Sequence, residues 1–147
     1  MDRDDVIATL NDLIETSRDG EEGFRACAEG VKDPQLRGFF EQKALRCAEG
    51  AVQLQAKVRD LGGSPERGGS TGGAMHRAWV NLKSTITGRD DRAILAECER
   101  GENVARQAYE NALKLDLPED VRMLVERQYE EVRTNHERVR EMRNAMA

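Results

Sequence analysis

The stretch ILAECERGENVARQAYENALKL, residues 94–115, decides the fold, because its apolar side chains recur at the spacing of one helix face. The residues on that face are Ile94, Cys98, Ala105, Tyr109 and Ala112. Glu102, with Gly101 beside it, breaks the pattern where the face should continue between Cys98 and Ala105. A carboxyl group turned toward a protein core is unfavourable unless it is paired, hydrogen-bonded or bound to a metal. We therefore expect the other helices to pack around this stretch, with Glu102 inside.

The composition is that of long, charge-rich helices in a single domain covering residues 1–147. Charged residues make up 35% of the chain and aromatic residues only 4%. The net charge of -5 argues against nucleic acid or an anionic membrane surface as a partner. No apolar run approaches the roughly 20 residues that a membrane-spanning helix needs.

The cysteines and the first residues predict a cytoplasmic protein. Cys27, Cys47 and Cys98 form no C-x-x-C pair, and each lies on or beside an apolar helix face. We interpret them as reduced core residues. The acidic start, residues 1–5, lacks the basic and apolar segments of a secretory signal.

The apolar spacing and the breaks between helices predict an all-α, ferritin-like four-helix bundle. The predicted long helices cover residues 4–31, 34–61, 91–116 and 121 to near the end of the chain. Their connections are short, long and short, so the long one must cross the length of the bundle and make the second and third helices parallel. We expect this crossover to carry a short helix over residues 74–87, anchored by Trp79.

Polar residues on the predicted inner faces make one level of the bundle a candidate metal site. At roughly 1.5 Å per residue, Glu21, Glu102 and His136 lie near the same height, with Cys47 on the remaining helix. Two carboxylates and an imidazole suit iron, manganese or zinc. The alternative is a structural network without metal, in which Arg106 pairs with Glu102. In that case Glu21 faces solvent, and His136 is a hydrogen-bonded core residue.

Enzymatic motifs are absent from the sequence, and no catalytic residue is predicted. The di-iron carboxylate signature requires two E-x-x-H motifs, and the chain has none: Arg133 stands three residues before His136. The other histidine, His76, lies off the apolar face of its segment, which favours a surface position. Phosphate-binding loops, nucleophile elbows and zinc-type cysteine spacings are also missing. A complete di-iron centre is therefore not expected.

Several segments resemble a bacterial ferritin-like family catalogued as a domain of unknown function. They are LNDLIETS at residues 10–17, Gly23-Phe24, LGGSPE at 61–66, HRAW at 76–79, AILAECERGE at 93–102 and Asn135-His136. The resemblance covers nearly the whole chain. It implies a ferritin-like four-helix bundle in a cytosolic bacterial protein, and it brings no established activity and no established metal site.

Together these observations favour an interaction or stress-related protein that self-associates, with a homodimer as the default assembly. The alternative is a metal-binding ferritin-like protein with a degenerate carboxylate and histidine site inside the bundle. A third interpretation is a small-molecule binder that uses the glycine-lined middle of the bundle.

Overall fold

The computed structural model describes residues 1–69 and 90–146, which form four long helices. Their bounds are Arg3–Gly30 (α1), Pro34–Asp60 (α2), Asp91–Leu113 (α3) and Glu119–Ala145 (α4). The predicted four-helix bundle is confirmed. The short helix expected over residues 74–87, with His76 and Trp79, lies outside the described residues.

Local chemistry sets where the helices begin and end. Asp2, Asp33 and Asp90 are N-caps whose carboxylates accept hydrogen bonds from backbone amides in the first turn. Helix α2 ends at Asp60 and is followed by Gly62, which adopts a φ of 84°, while the Gly63 amide donates to the Val58 carbonyl at 2.9 Å. This is the pattern of a Schellman motif, in which the left-handed position favours glycine.

Helix α3 begins at the opposite end of the bundle from the point where α2 ends. The Asp91 carboxylate accepts hydrogen bonds from the Lys32 and Asp33 amides, at 2.8 and 3.0 Å, so α3 starts beside the α1–α2 turn. Helix α2 leaves that turn and runs for 27 residues, about 40 Å at the usual helical rise. Helices α2 and α3 therefore run parallel, which is the order of a ferritin-like bundle.

Two apolar clusters fill the two ends of the bundle. The Phe40 cluster lies near the α1–α2 turn and comprises Phe24, Cys27, Ala28, Val31, Leu36, Phe40, Ala44, Ile94, Leu95, Cys98, Ala105 and Val139. The Leu10 cluster lies near the α3–α4 turn and comprises Val6, Leu10, Leu13, Ile14, Leu54, Val58, Tyr109, Ala112, Leu117, Val121, Leu124 and Val125. Between the two clusters the interior surrounds a cavity whose lining mixes polar side chains and glycines with Phe24 and Val132.

Helix α3 ends earlier than predicted, at Leu113 instead of about residue 116. The Leu115 amide donates to the Ala112 carbonyl, which tightens the last turn and stops the helix. The Arg122 guanidinium then donates to the Leu113 and Leu115 carbonyls and holds α4 against this turn. Among the described helices, none is long and apolar enough to cross a membrane.

Candidate functional site

A cavity of about 80 Å³ lies in the polar middle of the bundle, and all four helices contribute to its walls. A single water needs only about 10–15 Å³ of such space, so the cavity has room for several waters or a small ligand. Ser17, Glu102 and Tyr109 line its buried side, whereas Arg46 and Glu49 are exposed. The cavity therefore opens to solvent along the seam between α2 and α4.

An ion-pair network on α2 and α4 forms the mouth of the cavity. Arg46 donates from Nε and Nη2 to both carboxylate oxygens of Glu131, at 2.7 and 2.8 Å, and from Nη1 to Glu49 at 2.7 Å. A bidentate guanidinium–carboxylate pair fixes geometry better than a single contact. The hydrogen bond from Arg46 holds the pKa of Glu131 below its ordinary value. Glu131 therefore stays charged at neutral pH.

A chain of hydrogen bonds fixes the wall of the cavity. The Tyr109 hydroxyl donates to Gln128 Oε1 at 2.8 Å and lies 3.4 Å from Ser17 Oγ. Gln128 Nε2 in turn donates to the Gly50 carbonyl and to Gln53 Oε1, both at 3.1 Å. This network joins all four helices through side chains, because α2 and α4 supply the amides while α1 and α3 supply the hydroxyls.

Glu102 lies at the inner side of the cavity and is only 4% exposed, as its position on the α3 face predicted. The Cys98 thiol donates to Glu102 Oε1 at 3.6 Å. Within residues 1–69 and 90–146, Glu102 makes no other hydrogen bond and no salt bridge. Burial raises its pKa to about 8, and the hydrogen bond from Cys98 and the charge of Lys43 offset only part of that shift. At neutral pH the carboxyl is therefore mostly protonated and neutral.

Cys47 lines the same cavity from α2, at the level predicted from the sequence. Burial raises the pKa of its thiol to about 12, and the negative charges of Glu102 and Glu131 add to the effect. A thiol with such a pKa is neutral at physiological pH and has little nucleophilic character. Cys47 thus contributes an uncharged thiol to the wall of the cavity.

The other predicted ligands, Glu21 and His136, are buried but do not line the cavity. Glu21 is bound by two arginines of its own helix, Arg18 at 2.9 Å and Arg25 at 2.5 Å. The Glu21 carboxylate therefore lies along the surface of α1, between Arg18 one turn before it and Arg25 one turn after it.

The imidazole of His136 forms no hydrogen bond to any described residue. Burial is the largest cause of the lowered pKa of its imidazole, and the positive charge of Arg106 adds to it. Arg106 donates to Asn103, not to Glu102. In the described ranges, no group of three or more His, Cys, Asp or Glu side chains has the geometry to hold a metal ion. Glu21, Glu102 and His136 as metal ligands stay a prediction.

Sequence reasoning missed the mouth and part of the wall of the site. Arg46, Glu49 and Glu131 belong to alternating charge patterns that are typical of solvated helix faces. Their roles depend on which helices become neighbours, and the pattern of one helix does not contain that information. Gln128 carried a usable signal, because it is a polar residue on the apolar face of α4.

The fold is shared with a solved structure described as the crystal structure of the DPS protein from Vibrio cholerae O1, a member of a broad superfamily of ferritin-like diiron-carboxylate proteins. The two chains superpose with a TM-score of 0.75 at 13% sequence identity, over 95% of this chain and 89% of the other. At that identity the match shows the fold alone. No curated protein matches the sequence.

The resemblance predicted a match to a family catalogued as a domain of unknown function, and such a match is found over residues 5–115. The matched family is described as a domain of unknown function, DUF2383. The matched range includes α1, α2 and α3, and with them the Glu102 side of the cavity. The chain belongs to the DUF2383 family and has a ferritin-like fold.

Proposed function

We propose that the protein is a ferritin-like binding protein without a complete di-iron centre, and that it takes up a small cation in the cavity at the middle of the bundle. Glu102 is the observation that carries this proposal. It is a deeply buried carboxyl group beside a cavity, and among the described residues its only hydrogen bond comes from a thiol. A purely structural role would be served better by an apolar side chain, because burying a carboxyl group is costly.

The chemistry of the cavity favours a positively charged ligand. A cation beside Glu102 would stabilise the carboxylate form and lower the pKa from about 8. The Tyr109 hydroxyl and the Gln128 amide add neutral oxygen atoms to the same walls. A metal ion and a small organic ammonium group both meet this description.

Iron, manganese and zinc are the metals that the predicted ligand set suits. Of the three predicted ligands, only Glu102 lines the cavity, while both carboxylate oxygens of Glu21 are engaged by arginines. We therefore place Glu102 as the anchor of any bound cation. His136 and Glu21 would have to change their side-chain conformations to join it.

Cation binding at a protonated carboxyl group must release a proton, which gives the test a specific signal. We expect calorimetric titration at pH 7 to show release of about one proton per cation bound, measured in buffers of different ionisation enthalpy. The probes are Mn²⁺, Zn²⁺ and methylammonium, which separate a metal site from an ammonium site. Elemental analysis of protein purified without chelator is the companion measurement.

Glu102→Gln should abolish both binding and proton release, because it removes the charge without changing the shape of the side chain. The matched control is Glu97→Gln, which removes a carboxyl group of the same helix that lies outside the cavity. Binding of all three probes unchanged in Glu102→Gln would overturn the proposal. The proposal would also be overturned if none of the three probes bound and the purified protein contained less than about a tenth of an equivalent of metal.

A second candidate function is that of an interaction protein that self-associates. It is favoured by two exposed aliphatic side chains on α2, Leu45 at 60% and Val52 at 55% exposure. Exposed aliphatic residues that share one helix face are typical of surfaces that pack against a partner.

A further inference from the structure

The outer face of α2 carries a stripe of exposed apolar and small residues at intervals of one or two turns. Leu45 and Val52 are seven residues apart, and Gly38 and Ala56 continue the line on the same side of the helix. All four are exposed. The other exposed large apolar residues in the described ranges either stand singly, as Met123 does on α4, or lie in the terminal residues and the α3–α4 turn.

Two opposite charges flank this stripe on one side. Glu41 and Arg59 are eighteen residues apart in the sequence, or five turns at roughly 3.6 residues per turn, so they share one angular position on the helix. Both side chains are exposed, and neither forms an ion pair or a hydrogen bond within the described part of the chain. About 27 Å separates them along the helix axis, so they cannot pair with each other in one molecule.

We propose that two copies of the chain associate through α2, packed antiparallel around a two-fold axis near Gly50. A two-fold axis places the same side of both helices together, so it brings Glu41 of each copy next to Arg59 of the other. The pairing occurs twice, once on each side of the axis. Leu45 of one copy then packs against Val52 and Ala56 of the other.

Glu49 lies close to the proposed axis, so the two copies of this carboxylate would approach each other. Each Glu49 is already paired with Arg46 of its own helix at 2.7 Å. Arg46 is shared with Glu131, so each Arg46–Glu49–Glu131 cluster keeps one net negative charge, and this repulsion near the axis is set against the two Glu41–Arg59 pairs and the apolar contacts. The pattern is thus self-complementary in an antiparallel pair, and a second copy of the chain is the partner that it fits.

This inference rests on the second candidate function, self-association, and its test does not require cation binding. Sedimentation velocity at tens of micromolar should show a dimer for the wild type. Leu45→Glu combined with Val52→Glu should give a monomer with unchanged helical circular dichroism, because both side chains are exposed in the single chain. The matched control is Met123→Glu, a residue 54% exposed on α4, which should leave the dimer intact.

Charge reversal tests the antiparallel register itself. Glu41→Arg or Arg59→Glu alone should weaken the dimer roughly tenfold, because each change acts twice in a symmetric interface. The double variant Glu41→Arg with Arg59→Glu should restore wild-type affinity. A monomeric wild type would overturn self-association as a whole. A dimer that survives Leu45→Glu with Val52→Glu, or that the double reversal fails to restore, would overturn the α2 surface alone.

Discussion

The ends of this bundle and its middle are built from different chemistry, although the same four helices pass through both. The Phe40 and Leu10 clusters at the ends are filled by aliphatic and aromatic side chains. The middle surrounds a cavity to which hydroxyl, amide, thiol and carboxyl groups contribute alongside the apolar side chains of Phe24, Ala105 and Val132. Burial of apolar surface stabilises the fold mainly at the ends, which allows the middle to hold groups that are unfavourable inside a protein.

The largest expected effect on stability comes from removing a buried side chain from the apolar cluster at one end of the bundle. Phe40→Ala should lower the free energy of unfolding by about 3–5 kcal/mol, because the ring is fully buried and stacks near Phe24 in the Phe40 cluster. Urea unfolding followed by circular dichroism measures the change. The comparison variant is Met123→Ala on the exposed face of α4, which should change stability by less than about 0.5 kcal/mol. Equal losses of unfolding free energy in the two variants would contradict the view that the apolar clusters at the ends supply most of the stability.

The middle should respond to pH in a way that the ends do not. The pKa of Glu102 is about 8 in the folded protein, against an ordinary value of 4.5. Between these values the folded state holds a proton that the unfolded state has released, so stability falls as pH rises. The slope is at most about 1.4 kcal/mol per pH unit.

Glu102→Gln should remove this slope and make the protein more stable than the wild type at neutral pH and above. Urea titrations at several pH values between about 5 and 8 provide the measurement. Glu97→Gln serves again as the matched carboxyl variant of the same helix. Parallel pH profiles for the wild type and Glu102→Gln would show that this carboxyl group titrates normally.

The mouth of the cavity should contribute least to stability. Arg46→Met removes the pairs with Glu131 and Glu49 but keeps most of the apolar stem of the side chain. Because these side chains are partly exposed, we expect a loss of about 0.5 kcal/mol, smaller still at high salt. Unfolding measured at low and high salt tests this. A loss as large as that of Phe40→Ala would mean that the mouth belongs to the core.

The sequence was sufficient to predict most of the fold, because long helices with short turns leave strong periodic signals. Asp33-Pro34 and Gly62-Gly63 marked helix ends that the structure shows at those positions. Glu102 was found because one polar residue interrupted an otherwise apolar face. These signals are local, so a single sequence carries them.

The rest of the candidate site depends on how the helices are rotated and paired. Glu21 was predicted to share an interior level with Glu102, but it does not line the cavity, and its carboxylate lies within reach of Arg18 and Arg25. The pairing of Arg46 with Glu131 joins residues that are 85 positions apart. Such contacts are set by the geometry of the assembled bundle, and a charged residue looks the same in the sequence whether it bridges helices or faces water.

The seam between α2 and α4 is held near the cavity by long polar side chains, chiefly Arg46 with Glu131 and Gln128 with Gly50 and Gln53. Flexible side chains can follow a change in helix separation by rotating about their single bonds, whereas interlocked aliphatic groups would have to unpack. Near the cavity, polar contacts of this kind hold α2 to α4, whereas interlocked apolar side chains hold the helices together at the two ends of the bundle. A change in the separation of α2 and α4 would therefore break individual hydrogen bonds at the mouth of the cavity before it disturbed the two apolar clusters.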